Sequence, residues 1–217
     1  LKALLEYYPQ FADIPIFLDE WNNLYIFTWR ENVERVMNGQ YNAAFGATAI
    51  REMIDAGIAR AHFAFGRDFD TKFFGGMGLT MQDGTPKPIY NTFKMYDMLP
   101  KRRVAVTSNA EDGGVGGIAA RSDKEVCAIV WWYLPKTWAH EGMRRVKVAF
   151  TNLPSAGDYR LTRYVIDSAH SNYRAGKEHA RLEAVESATV QCPNAQYEKT
   201  LDVELNSVAL LRLEAVQ

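Results

Sequence analysis

The residues best placed to do chemistry stand side by side as Asp19-Glu20-Trp21-Asn22. A carboxylate beside an aromatic platform and a hydrogen-bonding amide suits work on a sugar ring. Glycosides are cleaved by a pair of carboxylates, one a proton donor and the other a nucleophile or base; in a retaining enzyme the pair lies about 5–5.5 Å apart. Glu20 can be the nucleophile. Asp19 is expected to point the other way, because neighbouring side chains alternate along a strand. Asp68 and Asp70 qualify as partners by position only, and residues 1–100 offer no obvious proton donor of equal quality. The plain structural reading of the same residues is a strand end capped by acids.

Other chemistries find less support. Gly113-Gly-Val-Gly-Gly117 lacks the spacing and the following helix of a phosphate loop, and reads as a hairpin turn. The histidines His62, His140, His170 and His179 show no ligand spacing, so no metal site is expected. Serine-triad and Cys-x-x-Cys patterns are absent from the sequence, and no cofactor is implied. Cys127 and Cys192 read as buried thiols rather than a disulfide.

The elements that must position Glu20 follow from periodicity. Leu1, Leu4, Leu5 and Tyr8 share one helix face, which Pro9 ends. Ile14 to Leu18 is a continuous apolar run, expected as a strand buried on both faces, with Asp19 to Asn22 where it leaves its sheet. In parallel sheets and barrels, chemistry collects at such carboxyl ends. Glu31 to Met37 is expected as a short helix with Gly39 as its stop. A strong helix follows over Ala43 to Ala56, its wide alanine-dotted stripe suited to packing on a sheet, with Gly57 as C-cap. Ile58 to Phe65 reads as a second buried strand ending in Gly66-Arg67-Asp68-Phe69-Asp70. A loop through Phe74, a turn at Asp83-Gly84 and a helix starting at Pro88 and stopped by Pro100 complete this half. That alternation implies βα units and a parallel sheet. From about Arg103 the period changes to two. Strands are expected over 103–107, 115–120, 126–133, 146–150, 159–166, 182–190 and 207–213, and such spacing argues a β-sandwich.

The 217 residues suffice for one large domain or two small ones. A net charge of −1 gives no electrostatic case for nucleic acid or an anionic membrane surface, and no apolar run approaches a transmembrane helix. The chain opens at Leu1 inside a helical pattern, so it is expected to be cut from something longer; localisation stays open.

Four stretches taken together, Phe17-Leu-Asp-Glu-Trp-Asn22, Phe74-Gly-Gly-Met-Gly-Leu79, Pro86-Lys-Pro-Ile-Tyr-Asn91 with Phe93-Lys94, and Ile166-Asp-Ser-Ala-His-Ser-Asn172, resemble glycoside hydrolase family 39 over nearly the whole chain. That family contains β-xylosidases and α-L-iduronidases built on a (β/α)8 barrel. The resemblance implies that Glu20 is the nucleophile after barrel strand seven. It implies strand eight at Ala61 to Phe65, a site-lining loop from Gly66 to Leu79, and an accessory β-sandwich from about residue 103. Trp21, Asn22, Phe65, Asp68 and Phe74 are then candidate substrate-binding residues. Departures are visible too. The family's acid/base glutamate follows an asparagine, whereas here Asn32 follows Glu31. Phe65-Gly-Arg-Asp68 also differs from the usual Phe-Ser-Asp. A barrel takes about 250 residues, so this chain cannot close one alone.

The expected fold is therefore α/β plus all-β. Residues 1–100 would carry the last strands and helices of a (β/α)8 TIM barrel, and residues 101–217 an antiparallel β-sandwich. The expected function is the carboxyl-terminal part of a retaining, β-xylosidase-like glycosidase acting on a carbohydrate substrate. Its acid/base glutamate would come from an amino-terminal barrel segment or a complementing chain. The alternative is a non-catalytic carbohydrate-binding or assembly module in which the sandwich does the work.

Overall fold

A computed structural model of the chain describes residues 7–23, 35–69, 76–110, 113–135 and 141–216. The expected helix over 1–8 lies mostly outside them, as do Phe74 and most of the expected helix over 31–37.

The first half contains a parallel strand–helix–strand unit. Strand β1 (Ile16–Trp21) pairs with β2 (Ile58–Phe63), and α1 (Gln40–Asp55) connects them. Gly39 serves both sides of its junction. It follows the helical residues 35–37 and is also the N-cap of α1, where a Cβ would come 2.4 Å from the Arg35 carbonyl oxygen. Gly57 sits just past the C-cap at φ +73°, donating its N–H to Ile54 O, the left-handed ending that glycine permits. Short parallel strands β3 (Phe65–Arg67) and β4 (Gly78–Thr80) follow. Helix α2 (Pro88–Asp97) then starts with Pro88 at its first turn, where the absent N–H has no partner to lose.

The second half is antiparallel. β5 (Arg102–Val104), β6 (Val115–Arg121), β7 (Glu125–Trp132), β9 (Gly157–Ile166), β10 (Glu183–Cys192) and β12 (Ser207–Ala215) form one six-stranded sheet in the order β10-β9-β12-β7-β6-β5. β8 (Met143–Phe150) and β11 (Tyr197–Glu204) form a separate two-stranded sheet. Alternation decides which side chains meet which layer. Ala128, Val130, Trp132, Leu211 and Leu213 face a core shared with Leu201 and Val203 of β11 and Phe150 of β8. Cys127, Ile129, Trp131, Val208 and Leu210 face the opposite way, onto Ala43, Ala44 and Ala47 of α1 and Met95 of α2. The large sheet is thus covered on both faces, which is why β7 reads as an unbroken apolar run from Val126 to Trp132 and β12 as one from Val208 to Leu211. The alanines let the α1 backbone come close to Trp131 and Ile129.

Two expectations need correction. β1 and β2 are not buried on both faces: Phe17 is 51% and Leu18 37% exposed. Among the described strands β1 pairs only with β2, so one edge and much of its surface stay in solvent. The strand β11 was absent from the expected set. Its inward residues Tyr197, Leu201 and Val203 keep period two, but Lys199 at the intervening inward position hides it.

Candidate active site at the end of the first parallel strand

Glu20 lies in the last turn of pleat of β1, exposed to solvent, with Asp19 exposed beside it. The pairing with β2 slips here: Leu18 pairs with Ala61 and Trp21 with Phe63. Three steps on β1 therefore match two on β2. Strict alternation, which set Asp19 against Glu20 in the sequence argument, is broken at these two acids. An irregularity of this kind bends a strand and re-aims a side chain.

Trp21 turns inward. Its indole packs edge-on against Phe63 with centroids 5.1 Å apart, and lies near Phe93 of α2 at 6.0 Å and Phe45 of α1 at 6.3 Å. Its Nε1 is buried and makes no hydrogen bond. Asn22 is a joint: Nδ2 donates to Met77 O at 2.8 Å, and Oδ1 accepts the Asn23 N–H at 2.7 Å. Sequence reasoning passed over Asn23, which is 6% exposed and whose Nδ2 lacks a partner. Only its position next to Asn22 could have flagged it.

Asp68 is buried. Its Oδ1 accepts from Lys87 Nζ at 2.5 Å and from the Gly78 N–H at 2.7 Å. Lys87, wholly buried, was also passed over; the flanking Pro86 and Pro88 were the signal that its backbone is fixed. Phe65 packs edge-on against Phe69 at 5.0 Å and borders a small cluster of Val36, Met37, Tyr41 and Met77. Gly78 admits no side chain, since a Cβ would meet the Arg67–Asp68 backbone at 2.4 Å. Glu20, Trp21 and Asn22 are thus gathered at one strand end, and Asn22 reaches the β3–β4 segment that Asp68 holds. Phe74 lies outside the described residues.

The remaining polar clusters have structural partners. Asp167 Oδ1 accepts the Ala169 and His170 N–H groups, and Asn172 Nδ2 donates to Asp167 O, which closes the β9–β10 loop. A cavity of about 890 Å³ lies away from Glu20, between the start of α1 and the loops of the antiparallel sheets. Glu141 and Glu204 both line it, and Glu204 already accepts from Gln40 Nε2, the Ser168 N–H and Ser168 Oγ. Among the described residues no group of His, Cys, Asp or Glu is arranged to hold a metal ion. No described helix is long and apolar enough to cross a membrane. Cys127 and Cys192 are free and buried. Burial, with Glu125 nearby, pushes the Cys127 thiol up to about 12, so it is no nucleophile at neutral pH.

Comparison with known proteins gives the site a setting. Among solved structures the chain is similar to the GH39 enzyme from Xanthomonas axonopodis pv. citri, with a TM-score of 0.76 at 19% identity over 94% of this chain and 45% of that one. A monomeric β-xylosidase from Caulobacter crescentus CB15 matches with TM-score 0.76 at 19% identity, over 100% of this chain and 49% of its own. A glucosidase from Croceicoccus marinus matches with TM-score 0.74 at 18% identity, over 100% and 49%. At such identities the likeness is one of fold, and the chain spans a little under half the length of each structure. No curated protein matches. The family model for glycosyl hydrolases family 39 matches residues 1–174, which takes in every candidate residue from Glu20 to Lys87, and the chain therefore belongs to that family.

Proposed function

We propose that this chain is the carboxyl-terminal part of a retaining glycoside hydrolase acting on xylosides or related glycosides, with Glu20 as its nucleophile. The observation that carries the reading is the exposed Glu20 carboxylate at the carboxyl end of a parallel strand, in a chain of family 39. In this reading residues 1–100 supply the last βα units of a (β/α)8 barrel and residues 101–217 the accessory β-sandwich. An amino-terminal barrel segment covers the open side of β1. The exposure of Ile14 at 55% and Phe17 at 51% supports such a neighbour, since apolar sheet surface at a strand edge is ordinarily paired or covered.

The chemistry then runs in two displacements. A Glu20 carboxylate oxygen attacks the anomeric carbon as the glycosidic C–O bond breaks, and an acid outside this chain gives its proton to the departing oxygen. The same group, now a base, takes a proton from water. The hydroxide so formed attacks the anomeric carbon, releases the sugar and restores the Glu20 carboxylate. In this reading Asn22, which donates to Met77 O, also hydrogen-bonds the substrate or orients Glu20, and Trp21 and Phe65 would form the aromatic side of the sugar site. Glu20→Gln in the full-length protein keeps size and fold but removes the nucleophile. Turnover of an aryl xyloside is expected to vanish, and a near-normal rate would exclude the assignment.

A further inference from the structure

The stretches that mark the family in sequence form one hydrogen-bonded line in space. At one end Asn22, two residues beyond Glu20, donates to Met77 O at 2.8 Å. The next residue, Gly78, donates its N–H to Asp68 Oδ1 at 2.7 Å, and the same oxygen receives Lys87 Nζ at 2.5 Å. The Lys87 backbone N–H donates to Leu79 O at 3.1 Å and its carbonyl caps the first turn of α2, accepting from Tyr90 N–H. Within that helix, Asn91 Nδ2 donates to Ser171 O and Ala180 O, both at 2.8 Å, in the β9–β10 loop.

Stability alone does not call for an ion pair at the centre of this line. The Lys87 and Asp68 side chains are 0% and 2% exposed. Well-packed apolar residues in place of a buried pair commonly leave a protein as stable or more so. What a charge-assisted bond adds is a short, directional link that fixes the distance between the two backbones carrying it.

We infer that Lys87 and Asp68 are positioning residues for Glu20, holding the end of β1 through Gly78, Met77 and Asn22. Asp68, in this account, meets Lys87 rather than the sugar. The kinetic consequence rests on the reading of Glu20 as nucleophile; the structural consequence does not.

The test uses the full-length protein with Lys87→Met/Asp68→Leu, which removes both charges together, and separately Asn22→Ala, which cuts the line at its Glu20 end. By hydrogen exchange, segments 16–22 and 76–80 of the paired variant should exchange about tenfold faster or more, while β7 and β12 stay protected. On an aryl xyloside both variants should lose kcat, by about 10- to 100-fold for an ångström-scale misplacement, with KM little changed. Combining them should cost little beyond either alone. Unchanged exchange at 16–22, additive losses, or an unchanged kcat in Asn22→Ala would overturn the inference. If the paired variant does not fold, hydrogen exchange at 76–80 in Asn22→Ala decides the matter: faster exchange there supports the line, whereas a kcat loss with unchanged exchange would mean that Asn22 acts only by direct contact and would overturn it. Full activity in Glu20→Gln would sink the proposed function while leaving the exchange result to judge the line.

Discussion

At the residue scale, what each polar or aromatic group near Glu20 already touches limits what it can do for a substrate. Trp21 spends its ring on Phe63, Phe93 and Phe45, so its first contribution is packing between β1, α1 and α2. Truncating such a ring typically costs about 3–5 kcal/mol, and Trp21 is only half-buried. Trp21→Ala is thus expected at the lower end of that range, with Trp21→Phe nearer the parent in thermal melts. If Trp21→Ala melts like the parent but raises KM sharply, the ring is a sugar platform and the packing account is wrong. Glu20 was legible in sequence because two acids and an indole end an apolar run. Lys87 was not, because a lysine carries no sign of burial until its carboxylate partner, 19 residues away in the chain, is seen beside it.

At the element scale, the βα alternation, Pro88 and Gly57 were readable because each rests on a local backbone rule. The slip between β1 and β2 was not readable. It depends on how two strands separated by α1 match, and no local pattern encodes that. β11 was lost to Lys199, whose ammonium pairs with Glu186 of β10, which Arg163 of β9 also holds at 3.0 Å. This triad ties the small sheet to the edge of the large one. Burial pushes the Glu186 carboxyl up, but the Lys199 and Arg163 hydrogen bonds outweigh it and hold the group below its usual range. A lowered folded-state value means that the contribution is fully present above the unfolded glutamate value of about 4.3 and fades as pH falls through the folded one. Glu186→Gln should therefore melt below the parent at pH 7, with the gap narrowing as both are taken to pH 3. A gap that is constant with pH would show that the ion pairs contribute nothing.

At the scale of the whole molecule, the two halves are not separable. α1 and α2 cover one face of the six-stranded sheet, and without them Ile129, Trp131, Val208 and Leu210, each at most 1% exposed, would face water. Deleting residues 1–100 should therefore give a chain that aggregates or binds hydrophobic dye strongly. A monomeric, cooperatively folding remainder that binds xylo-oligosaccharides would favour the sugar-binding module over the enzyme. The antiparallel half was foreseen from its period of two. That the helices share its core was not, because residues 126–132 and 208–213 look the same whether a second sheet or a helix covers them. The central claim remains that Glu20 is a glycosidase nucleophile. Its most direct test is to treat the full-length protein with an activated 2-fluoro xyloside and map the product by mass. One sugar per chain is expected, carried on the peptide that contains Glu20, with activity lost in step. A stoichiometric label on another carboxylate, or turnover untouched by the reagent, would contradict it.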